Sequence, residues 1–562
     1  MNISVGPLVT VIEAPGSTIS VVTDSGDTLQ GTLHRQRMAD ALRARGSSGG
    51  SFDVVVIGGG ITGAGVALDA SLRGRSVLLV DRDDLASGTS SKSSKLVHGG
   101  LRYLQQGDVA LVREALRERR IMMRNAPQLV SVMPFLLPIL KRDGLFPRRI
   151  ARALGSALWA YDTAGGWRIG RLHRRLRRGK VADLCPGLPS DRIAGGYLYY
   201  DATADDARLT LDVARTAAAH GAVVVNHCPV TSIDVEDGKV IGATMDLDGD
   251  RVSVRANVVV NAAGVWANKV DELLAAPLSD ALPRVGIRPA RGVHISIPWE
   301  LVRNEVAVVL PVPGDRRSVF LVPSNPRSDG SFDLAYVGTT DTDHSGSLDD
   351  PQCTDADVEY LLRAVNHSLD TRIEPSQVLG VWAGLRPLVV PDVDAEQDRT
   401  ADLSRRHRVD SSSSGYVRVI GGKLTTYRQM AEDTVDALEK VLGDARRCRT
   451  RSTRLISRDA DMISALVRTD SSLADEVTPG AGLTAAEVLN CVRTEMAHTV
   501  TDVLARRSRL HIGHRDLALA SVDRVADVMA AELGWDQQRR NEEISRYRSL
   551  CQAEEIAQEG TK

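Results

Sequence analysis

The feature that most restricts how this chain can fold is a glycine-rich turn held between two apolar strands. Phe52 to Ile57 is a compact apolar run, and Gly58-Gly59-Gly60-Ile61-Thr62-Gly63 follows it directly. Residues Gly63 to Leu72 then pattern as a helix until Gly74 stops it, and Ser76 to Val80 reads as a second strand. A β-α-β unit of about 30 residues sets a helix N-terminus at the end of a parallel strand. Gly58, Gly60 and Gly63 take the G-x-G-x-x-G positions. The first permits the tight turn, the second lets backbone amides approach a pyrophosphate, and the third packs helix on strand. The helix start adds partial positive charge towards the phosphates. Asp81 ends the second strand, 23 positions after Gly58, where a carboxylate accepts hydrogen bonds from a ribose hydroxyl pair.

That acid argues against a 2′-phosphate but leaves NAD and FAD both open. The remaining order favours FAD. A nicotinamide dehydrogenase continues with further β-α units. This chain instead shows a helix from Ala207 to His220, then three strands around Val230–Val235, Lys239–Leu247 and Arg251–Ala256. Asp237-Gly238 and Asp248-Gly249 supply their hairpin turns. A return strand, Val258 to Asn261, ends at Ala262-Ala263-Gly264. A second glycine turn, Gly421-Gly422, comes more than 350 residues after the first, between a strand at Tyr416–Ile420 and a long helix to Leu442. A long dinucleotide spanning several chain segments suits such interleaving.

The predicted class is therefore α/β: a Rossmann-like FAD-binding fold with an interleaved substrate β-domain and a C-terminal helical domain. Residues 285–345 read as a larger set of strands and 355–370 as a helix. Beyond about 445 the pattern is helical, with Thr484-Ala-Ala-Glu487 as a capping box. Domain boundaries are set at 1–50, 51–445 and 446–562. The first of these is expected as an appendage, with weak strands over Thr10–Gln30, a helix over His34–Ala44 and a flexible linker over Arg45–Ser51.

Longer motifs carry a family likeness. They begin with Asp53–Asp81 and Thr89-Ser-Ser-Lys-Ser-Ser-Lys-Leu-Val-His-Gly-Gly-Leu-Arg-Tyr-Leu104. They continue with Asp205-Asp-Ala-Arg-Leu209, Asn261-Ala-Ala-Gly-Val-Trp266, Gly338-Thr-Thr-Asp341, Gly384-Leu-Arg-Pro-Leu388 and Gly421-Gly-Lys-Leu-Thr-Thr-Tyr-Arg428. Over about 52–535 the chain resembles the FAD-dependent glycerol-3-phosphate dehydrogenases, relatives of the glutathione-reductase and D-amino-acid-oxidase folds. The resemblance implies oxidation of sn-glycerol 3-phosphate to dihydroxyacetone phosphate, with electrons passing from FAD to a membrane quinone. The alternatives are a glycerol-3-phosphate oxidase using oxygen, or another FAD-dependent oxidoreductase acting on a hydroxy or amino acid.

The resemblance places Arg102, Arg386 and Lys423 near the substrate, with Tyr103 beside the first. Arginine binds phosphate bidentately, whereas lysine acts as a compact point charge. Only nine of the 70 basic residues are Lys, which sets Lys423 apart from the background. His294 matches a family histidine and is the candidate base, with a core histidine as the competing reading. Thr339, Thr340 and Asp341 are expected to face the pocket, and Arg405 and Arg406 are equal candidates for a further substrate-side arginine. The expected cofactor contacts are Gly58, Gly59, Gly60, Ile61, Thr62, Gly63, Asp81, Ser90, Ser91, Ser94, Lys95, His98, Gly264, Gly421, Gly422, Leu424 and Thr425. Lys92 and Lys95 are assigned to the pyrophosphate side, and His98 to the flavin loop. No metal site is expected: the six cysteines lie far apart, without zinc spacing.

Charge decides the expected surroundings. The net charge of −2 hides a segment, 141–180, with twelve Lys/Arg against Asp143 and Asp162. The rest of the chain is acidic, so a nucleic-acid partner is not expected. The basic segment also carries Phe146, Leu154, Leu158, Trp159, Tyr161 and Trp167, a mixture that suits an anionic lipid surface. The longest uncharged apolar run, Ser131 to Leu140, is about half of what a spanning helix needs. The chain is therefore expected in the cytoplasm, peripherally bound to the inner face of the cell membrane. A homodimer counts among the partner options, the sequence itself giving no oligomeric state.

Overall fold

Val54, Val55 and Val56 are all fully buried, as a parallel strand covered on both faces must be. They lie in strand Ser51–Ile57, at the middle of an eight-stranded sheet. The computed structural model describes residues 9–12, 20–23, 28–29, 32–100, 108–142, 144–145, 151–315, 317–390, 406–458 and 460–554. Val77–Val80 and Asp250–Asn261 flank the central strand in parallel. Val223–Val225 extends one edge, and Tyr416–Gly421 runs parallel to the end of Asp250–Asn261. Helix Ile61–Leu72 packs against helices Asp206–Ala219 and Tyr427–Leu442. The last of these follows the second glycine turn, so segments far apart in sequence share one layer.

One strand differs from the sequence reading. Arg251–Ala256 and Val258–Asn261 form a single strand, Asp250–Asn261. Its first half pairs antiparallel with Lys239–Leu247 and alternates exposed with buried positions. Its last four residues, 258–261, pair parallel with Ser51–Ile57 and are buried throughout. A strand that passes from a one-sided to a two-sided environment changes its hydrophobic pattern midway, and so reads as two.

The second sheet has ten strands. Val130–Leu140, which contains the apolar run, pairs along its length with Ile193–Ala204. Gly286–Pro298 lies between Phe332–Gly338 and Gly380–Val390. Helix Asp355–Ser368, closed by a Thr354–Asp357 capping box, covers its Val308 and Val337 core. The tail carries helices Ala485–Glu495, Arg515–Leu533 and Gln537–Ala553 around a core of its own, including Val488, Val522 and Tyr547. Among the described residues, no helix is long and apolar enough to cross a membrane.

The flexible linker expected over 45–51 is absent. Helix Arg35–Ser47 continues to within four residues of strand Ser51–Ile57. The reason is packing: Leu33, Met38, Ala39 and Leu42 are buried in the cofactor-domain core, and Arg45 lies over the Phe52 ring. Leu33 also donates its N–H to the Thr494 carbonyl at 3.0 Å, tying this segment to the tail.

Candidate active site

A cleft of about 330 Å³ runs along the C-terminal ends of the parallel strands. Gly58, Gly60, Ile61, Thr62, Asp81, Ser90, Gly264, Gly421, Gly422, Lys423 and Leu424 all line it, which brings the two glycine turns together. Gly58 has φ +112°, and a Cβ there would stand 2.8 Å from the Ala262 carbonyl oxygen. A Cβ on Gly63 would stand 1.9 Å from the Gly58 carbonyl oxygen, so the helix is seated directly against the turn. Gly59 donates its N–H to Asp81 Oδ2 at 2.6 Å, and Ile61 donates to Ser90 Oγ at 2.9 Å. Burial pushes the Asp81 carboxyl up to about 6, against the pull of the Asp83 and Gly59 amides. A glycine cradle at a helix start, an acid at the neighbouring strand end and a cleft reaching a distant glycine turn fit the elongated shape of FAD.

A second group of side chains adjoins this cleft through the Thr89–Lys95 loop. Thr89 and Ser90 line the cleft, and Thr89 Oγ1 donates to the Leu385 carbonyl at 2.5 Å. Ser94 Oγ lies 2.8 Å from His294 Nε2. The His294 ring is only 2% exposed and stacks on Trp382 with centroids 4.9 Å apart. Burial, with Arg386 and Lys95 nearby, holds His294 well below its ordinary value, so the ring is neutral near pH 7. Arg386 donates to Asp341 Oδ1 at 3.1 Å, Thr339 Oγ1 at 3.0 Å and the Thr340 carbonyl at 3.2 Å. Thr340 Oγ1 in turn accepts from the Val293 N–H, one residue before His294. The Gly338-Thr-Thr-Asp341 motif therefore braces both candidate groups.

At the second glycine turn, Lys423 precedes the short turn Leu424–Thr426, which opens helix Tyr427–Leu442. Thr425 Oγ1 accepts from the His98 N–H at 3.2 Å, joining the two motif loops. Thr426 Oγ1 donates to the Lys423 carbonyl at 3.3 Å, a cap within the turn. Ser91 closes its own turn through the Gly88 carbonyl. Arg406 pairs with Asp108 on the surface, and that pairing, with Lys423 adding to it, lowers the Asp108 carboxyl. Arg102, Tyr103 and Arg405 lie outside the described residues.

Lys95 is a correction. Its Nζ donates to Asp206 Oδ1 at 3.1 Å and sits 5.0 Å above the Trp382 ring, and Lys95 is not among the residues that line the cleft. A buried ammonium needs a buried anion, and Asp206, fully buried, provides it. Burial nevertheless pulls Lys95 down to about 8. Trp382 and Arg509 join this group without any mark in the local sequence, whereas Asp206 lies within the Asp205–Leu209 motif, the one pointer to it. Arg509 Nη2 reaches Asp206 from the tail at 2.8 Å, 303 residues away, and no local pattern marks such a pair.

A family model described as FAD dependent oxidoreductase matches residues 53–428, and one described as the C-terminal domain of alpha-glycerophosphate oxidase matches 424–540. The chain is 37% identical to glycerol-3-phosphate dehydrogenase 2 of Mycobacterium tuberculosis, over 90% of this chain and 89% of that protein. It is 32% identical to a mitochondrial glycerol-3-phosphate dehydrogenase of Arabidopsis thaliana, over 94% and 90%. Among solved structures, the FAD complex of glycerol-3-phosphate dehydrogenase from Bacillus halodurans superposes with a TM-score of 0.71 at 28% identity, covering 93% of this chain and 98% of that one. On the match over residues 53–428 and the identity to relatives along nearly the whole chain, the chain belongs to the glycerol-3-phosphate dehydrogenase family of FAD-dependent oxidoreductases.

Proposed function

We propose that this protein oxidises sn-glycerol 3-phosphate to dihydroxyacetone phosphate and delivers the electrons to a membrane quinone. The observation that carries the substrate is the braced arginine beside His294. Arg386 is close enough to add to burial in lowering His294, and Lys423 adds a second cation on the wall of the cofactor cleft. A phosphate dianion needs such fixed charge, the guanidinium for direction and the ammonium for compact attraction. Asp341 and the two threonines hold Arg386 in one orientation before substrate arrives, so little is lost in ordering it on binding.

When bound, FAD supplies the hydride acceptor for C2 of the substrate. The chain's own task is the hydroxyl proton. Ser94, half-buried and 2.8 Å from His294 Nε2, accepts that proton at Oγ while its own hydroxyl proton passes to the neutral ring, whose Nε2 then acts as the acceptor. His294 is thus the base, acting through one hydroxyl, within the reach that general-base catalysis requires. Trp382 and Tyr336 hold the relay in place: Trp382 Nε1 donates to the Ser93 carbonyl at 3.2 Å and Tyr336 Oη to the Ser94 carbonyl at 2.9 Å.

The membrane reading rests on the basic segment. Trp159, Trp167 and Leu172 are 56%, 52% and 46% exposed, and they stand within fourteen residues of one another. Arg171, Arg174, Arg175, Arg177 and Arg178 are exposed around or just after them. Exposed aromatics ringed by arginine suit an anionic headgroup layer, which would keep the protein on the inner, cytoplasmic face of the membrane. Leu154, Leu158 and Tyr161 do not contribute: they face the core against Val130–Leu140. Phe146 lies outside the described residues.

The test is anaerobic. Adding glycerol 3-phosphate to the yellow holoprotein should bleach the oxidised flavin spectrum, and a persisting spectrum overturns the substrate. Reoxidation by a quinone analogue should outpace reoxidation by air; the reverse order makes the protein an oxidase. Vesicles containing anionic lipid should sediment it at low salt, with release as salt rises.

A further inference from the structure

Two fully buried acids of the cofactor domain are neutralised by arginines from the helical tail. Asp84 lies three residues beyond Asp81 and is 0% exposed. Its carboxylate accepts from Arg507 Nη1 at 2.6 Å and Nη2 at 2.8 Å, from Arg506 Nε at 2.5 Å and from Asn226 Nδ2 at 2.9 Å. Asp206, also 0% exposed, accepts from Arg509 Nη2 at 2.8 Å, Lys95 Nζ at 3.1 Å and the Ser93 amide at 2.9 Å. Arg509 donates a further bond to the Ser91 carbonyl at 2.7 Å.

One short stretch, 506–509, therefore grips both loops that shape the cleft. The loop 81–84 carries Asp81, and the loop 89–95 carries Ser90. A third wall is held as well. Cys228, which lines the cleft, donates its N–H to the Asp81 carbonyl at 2.8 Å. Its neighbour His227 has Nε2 3.1 Å from Asp502 Oδ2, and Asn226 Nδ2 donates to the Met496 carbonyl at 2.9 Å. The tail backbone is bent to make these contacts. Asp502–Arg507 is a π-helical turn, and Met496 and Arg509 have φ of +60° and +66°. Non-glycine residues hold such conformations only where surrounding contacts over-determine them. Asp84, His227 and Asp502 approach one another as metal ligands would, but the guanidiniums of Arg506 and Arg507 already supply the positive charge there.

Removing the partner of a buried carboxylate is strongly unfavourable. If the tail left its seat, Asp84 would lose both of its cations and Asp206 would keep Lys95 alone, and the loops bearing Asp81 and Ser90 would lose the contacts that hold them. We infer that the C-terminal domain is part of the cofactor site: FAD binding and tail docking stabilise each other, with Arg507 and Arg509 as positioning residues. Coupling of this kind is reciprocal. The inference stands on FAD alone and is independent of the substrate proposed above.

Amide hydrogen exchange on the full chain, with and without FAD, tests it. FAD should slow exchange across 498–513 about fivefold or more, although none of those residues lines the cleft. Arg507→Lys should release FAD about fivefold faster or more, followed as recovery of free-flavin fluorescence. If that variant does not fold, Arg509→Lys carries the same comparison. Protection confined to the cleft-lining segments overturns the inference. So does an unchanged release rate in a folded variant whose melting temperature falls equally with and without FAD.

Discussion

The cofactor cleft and the His294 pocket share the Thr89–Lys95 loop, yet they are made of different material. The cleft is shaped largely by backbone: Gly58 and Gly63 leave no room for a side chain, the Gly59 and Ile61 amides are tied to Asp81 and Ser90, and helices start at strand ends. The pocket is side chain: a stacked histidine, an arginine held by three oxygens and a buried lysine–aspartate pair. Backbone recognition suits a cofactor that stays, since it leaves no rotamers to order. Side-chain recognition suits a substrate that must be told from others of similar size, the role proposed above for the His294 group. Damage to the two regions should therefore differ in kind.

Gly63→Ala should give the largest effect. Its methyl group meets the Gly58 carbonyl oxygen at 1.9 Å, so turn or helix must shift, at about 3 kcal/mol for such overpacking. The protein is expected to purify without flavin and to melt at lower temperature. Normal flavin content in this variant would show that the cleft is less rigid than its geometry implies.

His294→Ala leaves the cleft untouched. Flavin content should match the parent while turnover falls about 10²- to 10⁴-fold, the usual weight of a general base. Because burial keeps His294 neutral well below its ordinary range, the parent's kcat/KM should show no acid limb near pH 6.5. An inflection there that vanishes in the variant would place His294 in a more solvated site.

The smallest effect concerns Asp81 in flavin-free protein. Its ordinary value of 3.8 is raised to about 6 by burial. A carboxyl raised on folding contributes stability that is complete below about 3.8 and is lost as pH rises through about 6. Across that window the melting temperature of the apoprotein should fall relative to Asp81→Asn, by a few degrees. A constant difference would mean that the folded and unfolded chains titrate Asp81 alike.

The same contrast governs what could be read from sequence. The cleft was legible because its geometry is local: Gly58, Gly60, Gly63 and Asp81 lie within one β-α-β unit, and the Asp237-Gly238 hairpin turn carries the positive φ values its residues suggest. Arg386 and His294 were identified only through longer motifs, since each acts across strands paired far apart in the chain. Lys95 was misplaced because a polar loop near a glycine turn looks alike whether it faces phosphate or a buried acid. The ties from Arg507 to Asp84 and from Arg509 to Asp206 span 423 and 303 residues. The sequence offered only scattered charges there, and which of them meet is decided by the packed tail.

The division between cleft and pocket is tested most directly in Arg386→Met, by measuring flavin content and the anaerobic rate of flavin reduction by glycerol 3-phosphate on one preparation. On the proposed role of Arg386 towards the substrate phosphate, its removal should leave flavin occupancy at the parent level. Reduction at low substrate should fall about 10³-fold, or roughly 4 kcal/mol in transition-state binding. Reduction at the parent rate, or loss of flavin together with the rate, would contradict the account.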